Sequence, residues 1–146
     1  MTDLKNAPHA ALILRVALGV MFLAHSLVLK LMVFGLPGTA AYFGSIGLPP
    51  WFAYVIFAAE AVGGVLLVLG VQTRWVALAL APVLAGATWA HAGNGWMFGY
   101  PNGGWEYPLY LTVLALVQAL LGDGAYALSP SRSLAFGAAR PADRAA

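Results

Sequence analysis

The sequence predicts an all-α membrane protein: four transmembrane helices in an antiparallel bundle, with both termini cytoplasmic. Three observations predict it. Of 146 residues, 62% are hydrophobic and only 8% charged, whereas a soluble domain carries about 45–50% apolar and about 25% charged residues. The charges are also spaced. Lys30 and Glu60 bracket 29 residues without Asp, Glu, Lys or Arg, and Arg74 and Glu106 bracket 31. Finally, a helical crossing takes ~20 apolar residues, so four crossings fit. The same composition excludes disorder. A membrane barrel would need ~10-residue alternating segments, which are absent. In lipid the backbone must then be satisfied within each span, as a helix.

The first span is placed at Ala10–Leu31. It is longer than a signal-peptide core, and no small-residue cleavage site follows closely, so it is expected to be retained. The second, Pro50–Gly70, follows Gly47-Leu48-Pro49-Pro50, and proline is tolerated at a helix start. The short link Gly70-Val71-Gln72-Thr73-Arg74 makes the second and third spans an antiparallel hairpin. The third, Trp75–Ala92, contains Pro82, expected to kink it. Asn102-Gly103-Gly104 turns into the fourth, Glu106–Leu121, with Pro108 in its first turn. Thr39–Ser45 is a candidate interfacial helix. Residues 1–126 form one membrane domain. Residues 127–146 are expected to be a flexible cytoplasmic tail, with fraying from Gly122.

An even span count puts Lys5, Arg74, Arg132, Arg140 and Arg144 on one side and Lys30 alone on the other. The excess of basic residues makes the first side cytoplasmic. Loops 32–49 and 93–105 then face outward. The formal charge of +2 contains no basic run, which excludes a nucleic-acid partner. The absence of cysteine excludes thiolate metal sites, iron–sulfur clusters and dithiol relays within the chain.

Arg15, His25, Lys30, Glu60, His91 and Glu106 fall in or beside the spans. Such residues cost roughly 2.5–3.5 kcal/mol each in hydrocarbon and usually pair or face a polar interior. By depth, Arg15 lies ~8 Å and Glu60 ~15 Å from the inner boundary, a gap a snorkelling arginine spans in part. Lys30 and Glu106 share the outer boundary. The expected pairs are therefore Arg15–Glu60 and Lys30–Glu106. His25, Glu60, His91 and Glu106, one from each span, form a candidate pocket in the outer half, suited to proton exchange or metal binding. Haem between His25 and His91 is geometrically conceivable.

Simpler readings stand beside these. Arg15 and Lys30 near span ends read as snorkelling residues. Glu106 complements a helix N-terminus, and His91 reads as an interfacial residue. Glu60 resists such a reading best, followed by His25. Gly63-Gly64 read first as packing positions. Trp89, Trp96, Tyr100, Trp105, Tyr107 and Tyr110 read first as an aromatic belt, with planar-ligand contact second.

In order along the chain, Leu14-Arg15-Val16-Ala17-Leu18-Gly19, His25, Lys30, Gly47-Leu48-Pro49, Ala59-Glu60 with Gly63-Gly64, Gly70–Arg74, His91, and Asn102-Gly103-Gly104 with Glu106-Tyr107-Pro108-Leu109 resemble the DoxX-like membrane proteins. The resemblance runs from about Leu12 to Tyr126. One departure is Ser26, where the family usually has glycine after the first-span histidine. The resemblance implies a four-span protein of the bacterial inner membrane. Members are linked to quinone-coupled thiosulfate oxidation, to quinone or thiol-stress resistance, and to complexes with redox enzymes.

The functional expectation is a quinone-linked oxidoreductase or a subunit of one. His25 and Glu60 would exchange protons with quinone oxygens, and His91 and Glu106 would admit donor or protons from outside. The alternatives are a non-enzymatic anchor for a redox enzyme and, less favoured, a small proton-coupled permease. A homo-oligomer or a redox partner in the bilayer is compatible with all three.

Overall fold

The computed structural model describes residues 4–134. Its elements are α1 (Ala7–Leu23), continued without a break by a π-helical segment (Ala24–Val33), then α2 (Leu36–Ser45), α3 (Phe52–Leu69), α4 (Thr73–His91) and α5 (Glu106–Leu121). A single 3₁₀ turn at Ala92–Asn94 extends α4. Ala7–Val33, Phe52–Leu69 and Thr73–Asn94 are long and apolar enough to cross a membrane. The apolar α5 has 16 residues and covers about 24 Å at 1.5 Å per residue. The expected four-helix architecture is met. The candidate interfacial helix begins three residues earlier than expected, at Leu36. Helix α4 runs through Pro82 to His91.

The helices close a ring in which α1 packs on α3, α3 on α4, α4 on α5 and α5 back on α1, while α2 lies against α3 and the π segment. The core is built from Leu18 and Phe22 of α1, Leu67 of α3, Leu80 and Leu84 of α4, and Leu111 and Ala115 of α5. Without a hydrophobic drive between helices in lipid, close backbone approach supplies the attraction. Gly19 and Gly64 provide it: a Cβ on Gly64 would lie 3.0 Å from the Gly19 carbonyl oxygen. A Cβ on Gly63 would meet Leu80 of α4 at 2.7 Å. The glycine pair is therefore where α1 and α4 both seat on α3, as the packing reading holds.

At the end of the bundle where α3 and α5 terminate, the inner end in the expected orientation, the structure departs from expectation twice. Arg15 does not reach Glu60. It is 1% exposed and donates to the carbonyls of Leu67 (3.0 Å), Val68 (2.9 Å) and Ala125 (2.9 Å). The reason is side-chain direction. Helical side chains lean toward their own N-terminus, so Arg15 points to the inner end of α1, where α3 terminates. There it meets the last carbonyls and the negative dipole end of α3. Gly70 closes α3 at φ 70°, and the Arg15 guanidinium fills the space a Cβ there would need. Arg74 repeats the arrangement, donating to Ala119 and Leu120 at the end of α5 (2.8 and 2.9 Å) beside Gly122.

The second departure is the segment after Gly122. Expected to fray, it folds back across the inner end. Ser129 exchanges backbone hydrogen bonds with Gly70 and Gln72. Asp123 accepts from the Thr73 amide at the start of α4 (3.0 Å) and from the Ser131 amide (2.9 Å) and hydroxyl (2.6 Å). Burial pushes the Asp123 carboxyl up, but the Ser131 and Thr73 hydrogen bonds outweigh it and hold the group below its usual range. Of the expected tail, residues 135–146, with Arg140 and Arg144, lie outside the described residues.

Candidate functional site

The outer half is organised by the π segment. Its turns are wider than those of an α-helix, as in the Phe34 amide to Leu29 carbonyl bond, five residues back (2.9 Å). Ser26, fully buried, donates its hydroxyl to the Phe22 carbonyl (2.9 Å) and the Leu23 carbonyl (3.3 Å). Serine bonds of this kind compete with the regular ladder and bend helices. The Ser26 hydroxyl thus sits at the entry to the wide turns.

The wide turns change which side chains share a face. In an α-helix His25 and Lys30, five residues apart, would be ~140° apart around the axis. Spacing of i to i+5 instead carries them toward a common face. Lys30 reaches Glu60 of α3 with Nζ at 2.9 Å from Oε1 and 2.7 Å from Oε2. His25 lies within electrostatic range of Glu60. This overturns both expected pairings: Glu60 pairs with Lys30, not Arg15, and Lys30 is therefore not held by Glu106. Antiparallel helices explain it. Lys30 leans inward along the first span, while Glu60, on a helix running the other way, leans outward.

Glu60 is 6% exposed and both its oxygens are taken by one ammonium. His25 is differently placed. Its Nδ1 lies 2.9 Å from the Met21 carbonyl, an acceptor only, so Nδ1 carries the hydrogen and Nε2 is the basic nitrogen of the neutral ring. The ring stacks on Tyr107 of α5, with centroids 6.2 Å apart and planes 25° apart. Tyr107 in turn contacts Phe98 of the 93–105 loop at 5.4 Å.

Glu106 and His91 lie in the wall of that loop. Glu106 Oε1 accepts the Phe98 amide (2.8 Å). His91 Nδ1 faces the carbonyls of Asn102 (3.1 Å) and Gly103 (3.2 Å), onto which Asn94 also donates. The four residues expected to form one pocket thus divide. His25 and Glu60, with Lys30, form the centre, while Glu106 and His91 hold the loop beside it. Among the described residues no group of three His, Asp or Glu side chains assembles the donor set of a metal centre.

Sequence reasoning passed over Tyr107, which it assigned to the aromatic belt. Its position directly after Glu106, one span from His25, was the available signal. It also passed over Asp123, which lies beyond the last span.

The pattern that defines the DoxX family matches residues 10–93. The chain belongs to the DoxX family. A Bacillus subtilis (strain 168) protein named "Putative oxidoreductase CatD" is 41% identical over 126 residues, covering 86% of this chain and 89% of that protein. No solved structure matches. Membership and the apolar helices make this DoxX protein a multi-pass membrane protein. The matched region contains Arg15, His25, Lys30, Glu60 and His91 but ends before Glu106 and Tyr107.

Proposed function

We propose that this DoxX protein is a quinone-linked oxidoreductase of the bacterial inner membrane, or the membrane subunit of one, with both termini cytoplasmic. The observation that carries the reading is the set His25, Lys30 and Glu60 within an apolar bundle. It offers a basic imidazole nitrogen at Nε2, an ammonium donor, and a carboxylate that pairs with the ammonium. Reducing a quinone to a quinol adds two electrons and two protons. The electrons come from a donor substrate, for which thiosulfate or a thiol is the candidate class, or from a partner subunit. In this reading Lys30 donates a hydrogen bond to one quinone oxygen, and His25 passes protons to or from the ring oxygens. Tyr107 offers an aromatic face for the planar ring. The oxidoreductase name of the Bacillus relative supports the reaction class.

The test is turnover of a short-chain benzoquinone by protein in lipid nanodiscs, with thiosulfate or a thiol as donor. His25→Gln is expected to lower turnover about 10²-fold or more, the usual size of a lost acid–base group. Wild-type protein without bound quinone in its lipid extract, and without quinone-dependent turnover, overturns the reading.

One observation favours a second reading, a scaffold for a redox enzyme. Lys30 saturates both oxygens of Glu60, as in a structural ion pair. That reading expects Glu60→Gln to weaken the bundle and to leave association with the partner enzyme intact in the folded fraction.

A further inference from the structure

The loop between α4 and α5 is uncharged and exposes Trp96, Met97, Phe98 and Tyr100, yet it is tightly closed. The Trp105 amide donates to the Gly95 carbonyl (3.2 Å), Glu106 to Trp96 (3.1 Å), Gly103 to Tyr100 (2.8 Å) and Tyr100 to Met97 (3.1 Å). Gly104 is buried, and a Cβ there would collide with the backbone of Trp96 and Met97. His91 and Asn94 fix the base of the loop. Only one side chain of α5 enters this network, the Glu106 carboxylate on the Phe98 amide (2.8 Å). That bond seats Phe98 on Tyr107, and Tyr107 is the ring stacked on His25.

We propose that Glu106 is a positioning residue. Its carboxylate latches the loop through the Phe98 amide, and the Phe98–Tyr107–His25 stack so formed sets access from the outer side to His25. Glu106 acts as a hydrogen-bond acceptor at a fixed place, and its charge is dispensable. This deepens the reading that His25 handles protons, and it assigns the outer entrance of that site to one carbonyl-type oxygen. Glu106 at the start of α5 also complements the helix dipole. Its Oε1, however, is spent on an amide eight residues earlier in the chain, across the loop.

Chemical labelling of histidine by diethyl pyrocarbonate tests the latch without any turnover. Intact protein in nanodiscs is labelled briefly, and peptide masses give the rate at His25 relative to His9, which lies at the other end of the bundle beside Tyr126. Glu106→Ala is expected to raise the His25 rate about fivefold, the population change for one lost hydrogen bond. Glu106→Gln keeps an acceptor oxygen and is expected to label at the wild-type rate. Phe98→Ala keeps the amide but removes the ring, and is expected to raise the rate as Glu106→Ala does. Equal acceleration in Glu106→Gln and Glu106→Ala overturns the proposal, because charge would then be what matters. Wild-type rates in both Glu106→Ala and Phe98→Ala overturn it too. If Glu106→Ala does not fold, Phe98→Ala and Glu106→Gln decide between the same outcomes. Since no quinone enters the experiment, a failed latch and a failed quinone reading are told apart.

Discussion

The inner and outer ends of the bundle spend their charges differently. At the inner end Arg15 and Arg74 bind carbonyls at the ends of α3 and α5, and Asp123 binds the first amide of α4. Every one of these charges completes a helix terminus. At the outer end Lys30 and Glu60 bind each other, and a histidine with a basic nitrogen stands beside them. A buried ion pair contributes little net stability once its desolvation is counted. The inner charges therefore hold the fold, while the outer ones are costly to keep, as the proposed site requires. The lesson is that depth in the membrane does not decide the role of a charged residue. What decides is whether an unpaired helix end lies within reach.

The largest expected effect breaks the outer pair. Lys30→Met leaves the Glu60 carboxylate buried and unpaired, and is expected to cost about 3–5 kcal/mol in denaturant unfolding of the detergent-solubilised protein. Lys30→Met with Glu60→Met is expected to regain most of that loss without regaining turnover. A double variant as unstable as the single one would make the outer pair as structural as the inner arginines and erase the contrast.

Next comes Arg15→Ala. Three carbonyls lose their donor, and the loss expected is about 2–3 kcal/mol, with activity falling only as far as the folded fraction falls. Arg15→Lys is expected to recover part of it, because an ammonium cannot span three carbonyls as a guanidinium fork does. A stable but inactive Arg15→Ala protein would place chemistry at the inner end.

The smallest effect is at Asp123. Its carboxyl is depressed in the folded state relative to the unfolded value of about 3.9. It therefore adds stability that is present above that value and is lost as pH falls through the lower folded value. Asp123→Asn is expected to lower stability near neutral pH by no more than about 1 kcal/mol, given partial solvent screening. It is also expected to flatten the acid limb of a stability profile recorded below about pH 5. An unchanged acid limb would remove Asp123 from the inner framework.

The four apolar segments, their order and the α3–α4 hairpin follow from the chain itself, because composition and charge spacing decide what lipid will accept. So does the family, carried by motifs from Leu14 to Pro108. The identity of the costly residues is also there: Arg15, His25, Lys30, Glu60, His91 and Glu106 all proved to be engaged. Their partners are not. Estimating depth from span ends put Arg15 with Glu60, because it ignored the lean of each side chain toward its own helix N-terminus. In an antiparallel bundle that lean separates one pair and joins the other. The π segment is hidden too, since apolar residues dominate it as they do α1, and only the wider turn carries His25 and Lys30 toward a common face. Tyr107 and Asp123 gain their meaning from contacts across the bundle, one with His25 and one with the start of α4. Hydropathy and charge count are sums along the chain, and they fix what enters the membrane. Pairing depends on direction and helix phase, and those exist only once the helices have packed.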